Sequence, residues 1–92
     1  MSPAEALAQL ARTPLWQIND EGVEISRTFS FKSYADGLAF VNQVAAIAEA
    51  ELHHPDISLL YKKARVAFTT HDVNGLSDKD FICASKVDLV VV

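Results

Sequence analysis

The sequence predicts an α+β fold in which a four-stranded antiparallel sheet has helices packed on one face, in the order α-β-β-α-β-β-α. Two observations support this prediction. Two stretches alternate apolar and polar residues, which is typical of strands with one buried face. Three other stretches carry helix-start signals, and the longest of them repeats apolar residues at three- and four-residue steps. The second sheet face is expected to stay polar and available.

Length and composition predict one domain over residues 1–92. Hydrophobic residues make up 50% of the chain, so a single core is feasible without disulfides or metal. Cys83 is the only cysteine and the N-terminus has no charged start followed by an apolar stretch, so a cytoplasmic location is expected. No apolar run approaches membrane-spanning length. The net charge of -4 opposes attraction to phosphate backbones, so no direct nucleic-acid binding is predicted.

The first helix is expected to begin after Ser2. Ser2 can act as the N-cap, Pro3 suits the first helical position, and Glu5 completes a capping box. Two strands follow in the stretches LWQIND and VEISRTFSF, and a turn at residues 19–22 separates them. The apolar residues that alternate in the second strand are Val23, Ile25, Phe29 and Phe31.

A long helix is expected to begin at Ser33 and to stop at His54, where Pro55 disfavours helical geometry. Its predicted core-facing residues are Tyr34, Leu38, Val41, Ala45, Ala48 and Leu52. The stretch ISLLYKKARVAFTTH is interpreted as either two strands or one bent strand. Ser77 is expected to cap a last helix through FICASKVDL, with Asp80 three residues later.

Two adjacent histidines, His53 and His54, lie at the end of the long helix. Unpaired carbonyls and the negative end of the helix dipole favour a protonated imidazole there, and Glu49 adds negative charge one turn before His53. His71 ends a strand that can run antiparallel beside the strand after Pro55. We therefore expect the three imidazoles to surround one pocket.

The residues beside His71 suit a polar heterocycle. Thr69, Thr70 and Asp72 supply hydroxyl and carboxylate groups at a strand end. A single histidine in a small domain is more often a surface or capping residue. Three histidines in one region favour a functional site.

A zinc site is the second hypothesis for these histidines, because imidazole is a common zinc ligand. Adjacent histidines in extended geometry point apart, and the chain has no His-x-x-x-His or cysteine ligand spacing, so no metal site is predicted. Nucleophilic catalysis by Cys83 is also disfavoured. Cys83 lies among apolar residues of the last helix, where a buried, inert thiol is expected.

Three motifs, taken in order, resemble the pterin-4a-carbinolamine dehydratase family. They are AEAELHHPD, YKKARVAFTTHD and GLSDKDFICAS. The residues that carry the resemblance are Glu49, His53, His54, Pro55, Tyr61, Thr70, His71, Gly75, Leu76, Ser77 and Asp80. The resemblance covers the chain from Phe29 to Asp88, and the double-histidine block combined with the later Thr-His pair is its most specific part.

The resemblance implies a cytoplasmic dehydratase that removes water from a 4a-hydroxy-tetrahydropterin in tetrahydrobiopterin recycling, with no metal or organic cofactor. It implies His53 and His71 as the acid and base, with His54 chiefly holding the pterin. Glu49 and Asp80 would orient imidazoles or bind ring nitrogens. The residues predicted to contact substrate are Glu49, Leu52, Thr69, Thr70, Asp72 and Asp80. Leu52 and Ile57 depart from what is common in the family and make the pocket rim more aliphatic.

The resemblance also implies partners. The four-stranded sheets of the family join across a homodimer, and some dimers pair into a homotetramer; open sheet edges favour such assembly. The alternative function is a non-catalytic binding or scaffold protein with a protein partner, as a dimerisation cofactor of transcription factors or an assembly factor. The retained histidines favour catalysis. The apolar tail VDLVVV is either a docking segment or a last helical turn that closes the core.

Overall fold

The computed structural model describes residues 1–90. Its elements are α1 (Pro3–Leu10), β1 (Gln17–Ile18), β2 (Ile25–Ser30), α2 (Tyr34–Glu51), β3 (Asp56–Leu59), β4 (Lys63–Phe68) and α3 (Asp78–Val87), with a 3₁₀ turn over His71–Val73. The predicted α+β class and element order are confirmed. The stretch after Pro55 forms two strands, not one bent strand.

The four strands form one antiparallel sheet in the order β1-β2-β4-β3. The central strands β2 and β4 pair along their whole length. In the outer pair, β3 lies against β4 with Asp56 opposite Ala67 and Leu59 opposite Ala64. This register sets the start of β3 beside the end of β4, so the segments just before β3 and just after β4 meet at one end of the sheet.

The core lies between the sheet and the helices. Inward-facing strand residues alternate with polar outward-facing ones, and α2 contacts α3, β3 and β4. The largest fully buried side chains include Ile25, Phe40, Val44, Val66, Phe68, Leu76 and Phe81. Within residues 1–90, no helix is both long enough and apolar enough to cross a bilayer.

The first helix begins as predicted. The Ser2 hydroxyl accepts a hydrogen bond from the Glu5 N–H at 3.2 Å, and Glu5 Oε1 accepts one from the Ser2 N–H at 2.9 Å. These hydrogen bonds lower the pKa of the exposed Glu5 carboxyl group, since they favour its charged form.

The buried side of α2 differs from the prediction. Its buried residues are Gly37, Phe40, Val44 and Ala48, whereas Tyr34 and Leu38 of the predicted stripe are 50% and 45% exposed. The prediction is confirmed for Ala48, and Val41 packs partly buried against the core, but it is wrong for Tyr34 and Leu38, because α2 is rich in alanine and carries apolar residues on more than one side. Periodicity alone therefore cannot choose the side that meets the sheet.

The end of α2 lies before the predicted position. The helix ends at Glu51, and Leu52 adopts a left-handed conformation with φ 52°. The His53 N–H donates to the Ala48 carbonyl at 3.1 Å, which is the long hydrogen bond of a Schellman motif. The left-handed residue, not Pro55, ends the helix and turns the chain toward the sheet.

A carboxylate at the end of α3 connects that helix to the sheet. Asp88 Oδ1 accepts hydrogen bonds from Trp16 Nε1 at 2.8 Å and from Arg27 Nη1 at 2.6 Å. Within the predicted apolar tail, Val87 is buried and Leu89 is 79% exposed. Val91 and Val92 lie outside the described residues, so the role of the tail stays a prediction.

Candidate active site

A pocket of about 240 Å³ lies at the end of the sheet where β3 begins and β4 ends. Its lining residues are Leu52, His53, His54, Thr69, Thr70, His71, Asp72 and Lys79. The histidine pair comes from the connection between α2 and β3, and His71 follows β4. The antiparallel register thus brings the three imidazoles to one pocket, although their chemical roles stay predictions.

His53 is held by a buried carboxylate and an aromatic ring. Its Nε2 lies 2.6 Å from Asp80 Oδ1, and the Asp80 side chain is fully buried whereas that of His53 is 11% exposed. The imidazole stacks on Phe68 with ring centroids 5.8 Å apart and planes 9° apart. Contacts at its edge and on its face therefore fix the orientation of the His53 ring.

The second oxygen of Asp80 is also occupied. Asp80 Oδ2 accepts hydrogen bonds from Thr70 Oγ1 at 2.7 Å and from the Ser77 N–H at 2.9 Å. The Thr70 hydroxyl has one proton, which it donates to Asp80. Thr70 Oγ1 also lies 2.7 Å from Ser77 Oγ, and in this second hydrogen bond Ser77 is therefore the donor. These donors hold the carboxylate in place.

The Asp80 contacts determine which His53 nitrogen can meet a ligand. An ionised carboxylate only accepts hydrogen bonds, so His53 Nε2 carries the hydrogen of the bond to Asp80. His53 Nδ1 is then the ring nitrogen that can exchange a proton with a ligand.

Local sequence explains why Asp80 lies at this position. Ser77 is the N-cap of α3 and Asp80 is in the first turn, as the capping pattern predicts. Negative charge is favourable at the N-terminal end of a helix. The same carboxylate therefore serves the start of α3 and the orientation of His53.

Glu49 contacts a different histidine from the one expected. Glu49 Oε1 lies 3.1 Å from His54 Nε2, and the side chains are 77% and 59% exposed. The predicted effect of Glu49 on His53 is therefore corrected: Asp80 is the carboxylate partner of His53. Neither Glu49 nor Asp80 is among the lining residues of the pocket, but each contacts an imidazole that is, and their predicted contact with substrate stays a prediction.

The two threonines line the pocket but use their hydroxyl protons within the protein. Thr69 Oγ1 donates to the Val23 carbonyl at 2.5 Å, and Thr70 donates to Asp80. Both hydroxyls can only accept from a ligand while these bonds persist. Leu52, 77% exposed, and Asp72 remain as predicted contact residues with side chains on the pocket surface.

Lys79 lines the pocket and was not among the predicted site residues. It lies in the first turn of α3, directly before Asp80. Its position directly before Asp80, a residue of the third motif, was the sequence signal that could have placed Lys79 at the site. Capping arguments assign Asp80 a role but give Lys79 none, so sequence reasoning passed over it.

The described residues do not suggest a metal centre. Within residues 1–90, no group of three or more His, Cys, Asp or Glu side chains is arranged to hold a metal ion. The two adjacent histidines contact different carboxylates, His53 on Asp80 and His54 on Glu49. Their rings are therefore directed to separate partners.

A second depression, of about 440 Å³, lies beside the outward-facing residues of the sheet. Its lining residues are Leu15, Gln17, Ser26, Arg27, Thr28 and Arg65. Both guanidinium groups already contact carboxylates, Arg27 with Asp88 and Arg65 with Glu24. Since its lining residues include no imidazole, the histidine pocket is the candidate active site.

Cys83 is buried, and burial raises the pKa of its thiol to about 11, with a further contribution from the carboxylates of Glu51 and Asp80. An unfolded thiol ionises near pH 9.0. The folded state therefore holds this proton more tightly, and stability is lost as pH rises between these two values. The nucleophile hypothesis is disfavoured further, because the thiolate is the reactive form.

We expect native Cys83 to resist an aromatic disulfide reagent at pH 8 and to react only when the protein unfolds. We also expect unfolding by denaturant to become easier between about pH 9 and pH 11, and less so in a Cys83→Ala variant. Comparing the pH dependence of the two proteins separates Cys83 from the tyrosines and lysines that also titrate there. Rapid stoichiometric labelling of the folded protein would contradict this account.

The fold and pocket define a small α+β protein with three imidazole groups at one pocket. The model of the family described as Pterin 4 alpha carbinolamine dehydratase matches residues 1–90. The chain belongs to this family.

Relatives that carry the family's name support this assignment. A protein of Nitrosomonas eutropha is 52% identical over 77 residues, which cover 84% of this chain and 66% of the relative. A protein of Chloroflexus aurantiacus is 45% identical over 91 residues, covering 99% of this chain and 96% of the relative. The chain thus spans about two thirds of the first relative and nearly all of the second.

Solved structures share the fold. A crystal structure described as a transcriptional coactivator/pterin dehydratase from Brucella melitensis superposes with a TM-score of 0.89 at 31% identity, covering 96% of this chain and 94% of that one. A pterin dehydratase-like protein described as a RuBisCO assembly factor in the alpha-carboxysome has a TM-score of 0.68 at 23% identity, covering 79% and 84%. The second likeness concerns the fold alone.

Proposed function

We propose that this protein removes water from a 4a-hydroxy-tetrahydropterin to give a quinonoid dihydropterin, in tetrahydrobiopterin recycling. The observation that supports this most is the meeting of three imidazoles in one pocket, with a buried carboxylate behind one of them. The pocket volume of about 240 Å³ is below the roughly 300–1,000 Å³ typical of sites for drug-sized ligands, which suits one small heterocycle.

The reaction needs two proton transfers. An acid protonates the hydroxyl group on C4a, the C4a–O bond breaks, and water leaves. A base removes the proton from the neighbouring ring nitrogen, whose electrons form the new double bond to C4a. Imidazole can serve in either role near neutral pH.

The geometry supports assigning the acid role to His53. Asp80 holds Nε2 of His53 and leaves Nδ1 to deliver the proton. His71 lines the same pocket and takes the base role, while His54, more exposed than His53, holds the pterin ring. The imidazoles supply both proton transfers, so we propose that no metal or organic cofactor takes part.

An absorbance assay with the hydroxylated pterin tests this function. The purified protein should accelerate disappearance of the 4a-hydroxy compound above the spontaneous rate. A rate equal to the spontaneous one would reject the enzymatic assignment. The assay follows a small molecule and needs no knowledge of the hydroxylase that supplies it.

A second candidate is a binding or scaffold role for the same fold. The exposed apolar residues Tyr34 and Leu38 on α2 favour it, because exposed apolar surface is common at protein contacts. Recovery of a protein partner together with an unaccelerated pterin reaction would support this candidate.

We further propose that the protein acts in the cytoplasm. We also propose that it forms a homodimer or homotetramer, because β3 has no strand partner on its outer side within residues 1–90. Light scattering should give a mass of at least two chains. A mass matching the 10.1 kDa of one chain would contradict the assembly.

A further inference from the structure

We propose that Tyr61 of each chain completes the histidine pocket of a partner chain, where its ring packs against the pterin. This inference rests on the proposed function and the proposed homodimer, since it adds a substrate-binding residue to the same pocket. Tyr61 begins the second motif, yet the pocket of a single chain does not use it. The tyrosine is 72% exposed and lies in the turn between β3 and β4.

The pocket formed by one chain has few apolar side chains. Its lining within residues 1–90 contains one aliphatic residue, Leu52, and no phenyl, phenol or indole ring. Leu52 is 77% exposed and the His54 side chain is 59% exposed, so the pocket is open beside the connection from α2 to β3. Small-molecule sites are lined mainly by hydrophobic and aromatic side chains that cover most of the ligand. A planar heterocycle bound here therefore lacks an apolar wall on the open side.

The tyrosine of the same chain lies at the wrong end of β3 to supply this wall. The pocket is beside the start of the strand at Asp56, and the strand ends at Leu59, roughly 10 Å away at about 3.3 Å per residue. Tyr61 lies two residues farther along the chain and is not among the lining residues. An apolar wall must therefore come from elsewhere.

The outer edge of β3 can pair with a second copy of itself. The Leu60 N–H donates to the Lys63 carbonyl at 2.8 Å, and hydrogen-bonded pairs alternate along an antiparallel ladder, so Ser58 also bonds to β4. The backbone groups of Ile57 and Leu59 therefore point to the open edge. A symmetric dimer that pairs two such edges must match these outward-pointing residues with one another.

Each such register brings Tyr61 to the pocket of the other chain. Three registers match outward-pointing residues: Ile57 with its own copy, Ile57 with Leu59, or Leu59 with its own copy. Because the two strands run in opposite directions, the partner's Tyr61 then lies opposite His53, Pro55 or Ile57, respectively. All three positions are within three residues of His54, and paired strands are only about 4.8 Å apart. The partner's Tyr61 is therefore placed at the open side of the pocket.

Charges at the two ends of β3 also favour a second copy of this chain as the partner. Asp56 begins the strand, and Lys62 and Lys63 follow its end. None of the three forms an ion pair within residues 1–90. Antiparallel pairing sets the acidic end of one strand beside the basic end of the other, twice in a symmetric dimer. Opposite charges across paired strands are favourable.

Tyr61→Ala is expected to raise KM for the hydroxylated pterin about 2- to 10-fold, the usual contribution of an aromatic contact, with a smaller change in kcat. Tyr61→Phe should keep most of the affinity, because it keeps the ring. Leu15→Ala is the matched control, since Leu15 is a 64% exposed apolar residue beside β1, at the opposite edge of the sheet. Light scattering checks that each variant is a dimer, and Tyr61→Leu replaces Tyr61→Ala if the alanine variant dissociates.

Mixed dimers show whether Tyr61 acts across the interface. Tyr61→Ala is refolded together with a large excess of His53→Ala, so that almost every chain with an intact His53 has a partner with an intact Tyr61. We expect KM to return to the wild-type value. The double variant His53→Ala/Tyr61→Ala in the same excess is the control and should leave KM raised. A raised KM in both mixtures would overturn the inference, because Tyr61 would then act within its own chain.

A cross-link tests the arrangement without catalysis. In a Cys83→Ala background, which removes the native cysteine, chains with His54→Cys are mixed with chains with Tyr61→Cys and treated with a short bismaleimide. The two kinds of chain carry tags of different size, so that mixed pairs are recognised. Mixed pairs should form, but not when Gln17→Cys at the opposite sheet edge replaces Tyr61→Cys. Failure of the first mixture to give mixed pairs would overturn the inference.

The cross-link and the pterin assay separate this inference from the proposed function. Mixed pairs, together with weaker binding of an oxidised pterin by Tyr61→Ala, would retain the inference even if the wild type did not accelerate dehydration. Acceleration by the wild type without mixed pairs, or with an unchanged KM in Tyr61→Ala, would overturn the inference and retain the function. A mass of one chain would overturn the proposed assembly together with the inference.

Discussion

Replacing His53 with alanine is expected to slow dehydration about 10²–10⁴-fold, the usual contribution of a general acid or base. His53 is the imidazole with a buried carboxylate partner, and its Nδ1 is free for proton exchange. The same range is expected for His71→Ala, since the reaction needs both proton transfers. Stopped-flow absorbance of the hydroxylated pterin measures both variants.

Three controls show whether the loss of activity comes from the missing imidazole. His54→Ala removes an exposed imidazole of the same pocket and should raise KM more than it lowers kcat. Added imidazole should restore part of the activity of His53→Ala, because the small base can occupy the space beside Asp80 and Phe68. Circular dichroism should show that the variants remain folded. Wild-type turnover in both His53→Ala and His71→Ala would refute the acid and base assignment.

Asp80→Asn is expected to lower kcat about 10- to 100-fold, the typical cost of removing a partner that orients a functional imidazole. The side-chain oxygen of the new asparagine must face the Thr70 and Ser77 donors, which places its NH₂ group at His53. The NH₂ group donates, so His53 Nε2 must accept and Nδ1 must carry the hydrogen. The neutral imidazole is then held in the opposite tautomer.

Nitrogen-15 NMR of the His53 ring checks this mechanism directly. The wild type should show hydrogen on Nε2, and Asp80→Asn should show it on Nδ1, with a change in kcat larger than in KM. Asp78→Asn is the matched control, because it removes the same charge from the first turn of α3 without a histidine contact. A slowed variant with an unchanged tautomer would mean that Asp80 acts only through stability of the fold.

The helices and strands that neighbouring residues specify agree with the sequence prediction. The α1 capping box, the Ser77 and Asp80 start of α3 and the alternation of β2 depend on residues a few positions apart. The core-facing side of α2 could not be predicted, because an alanine-rich helix offers several apolar sides and the sheet selects one. The left-handed Leu52 was also missed, since leucine has no preference for that conformation.

The candidate site was likewise predicted from the sequence only in part. The three histidines were recognisable from spacing and from the family resemblance, and their approach followed from the antiparallel pairing of β3 with β4. Spacing along the chain could not show which carboxylate contacts which imidazole. Glu49 is near both histidines in sequence, yet it contacts His54.

The sequence by itself determined the α+β class, the order of elements and the family, because hydrophobic periodicity, capping and motif order are properties of neighbouring residues. The tertiary structure alone decided that His53 is the imidazole that Asp80 holds, that Thr70 gives its proton to Asp80, and that Lys79 reaches the pocket. These contacts depend on how α3 packs against the end of β4, which is a result of core packing across distant parts of the chain.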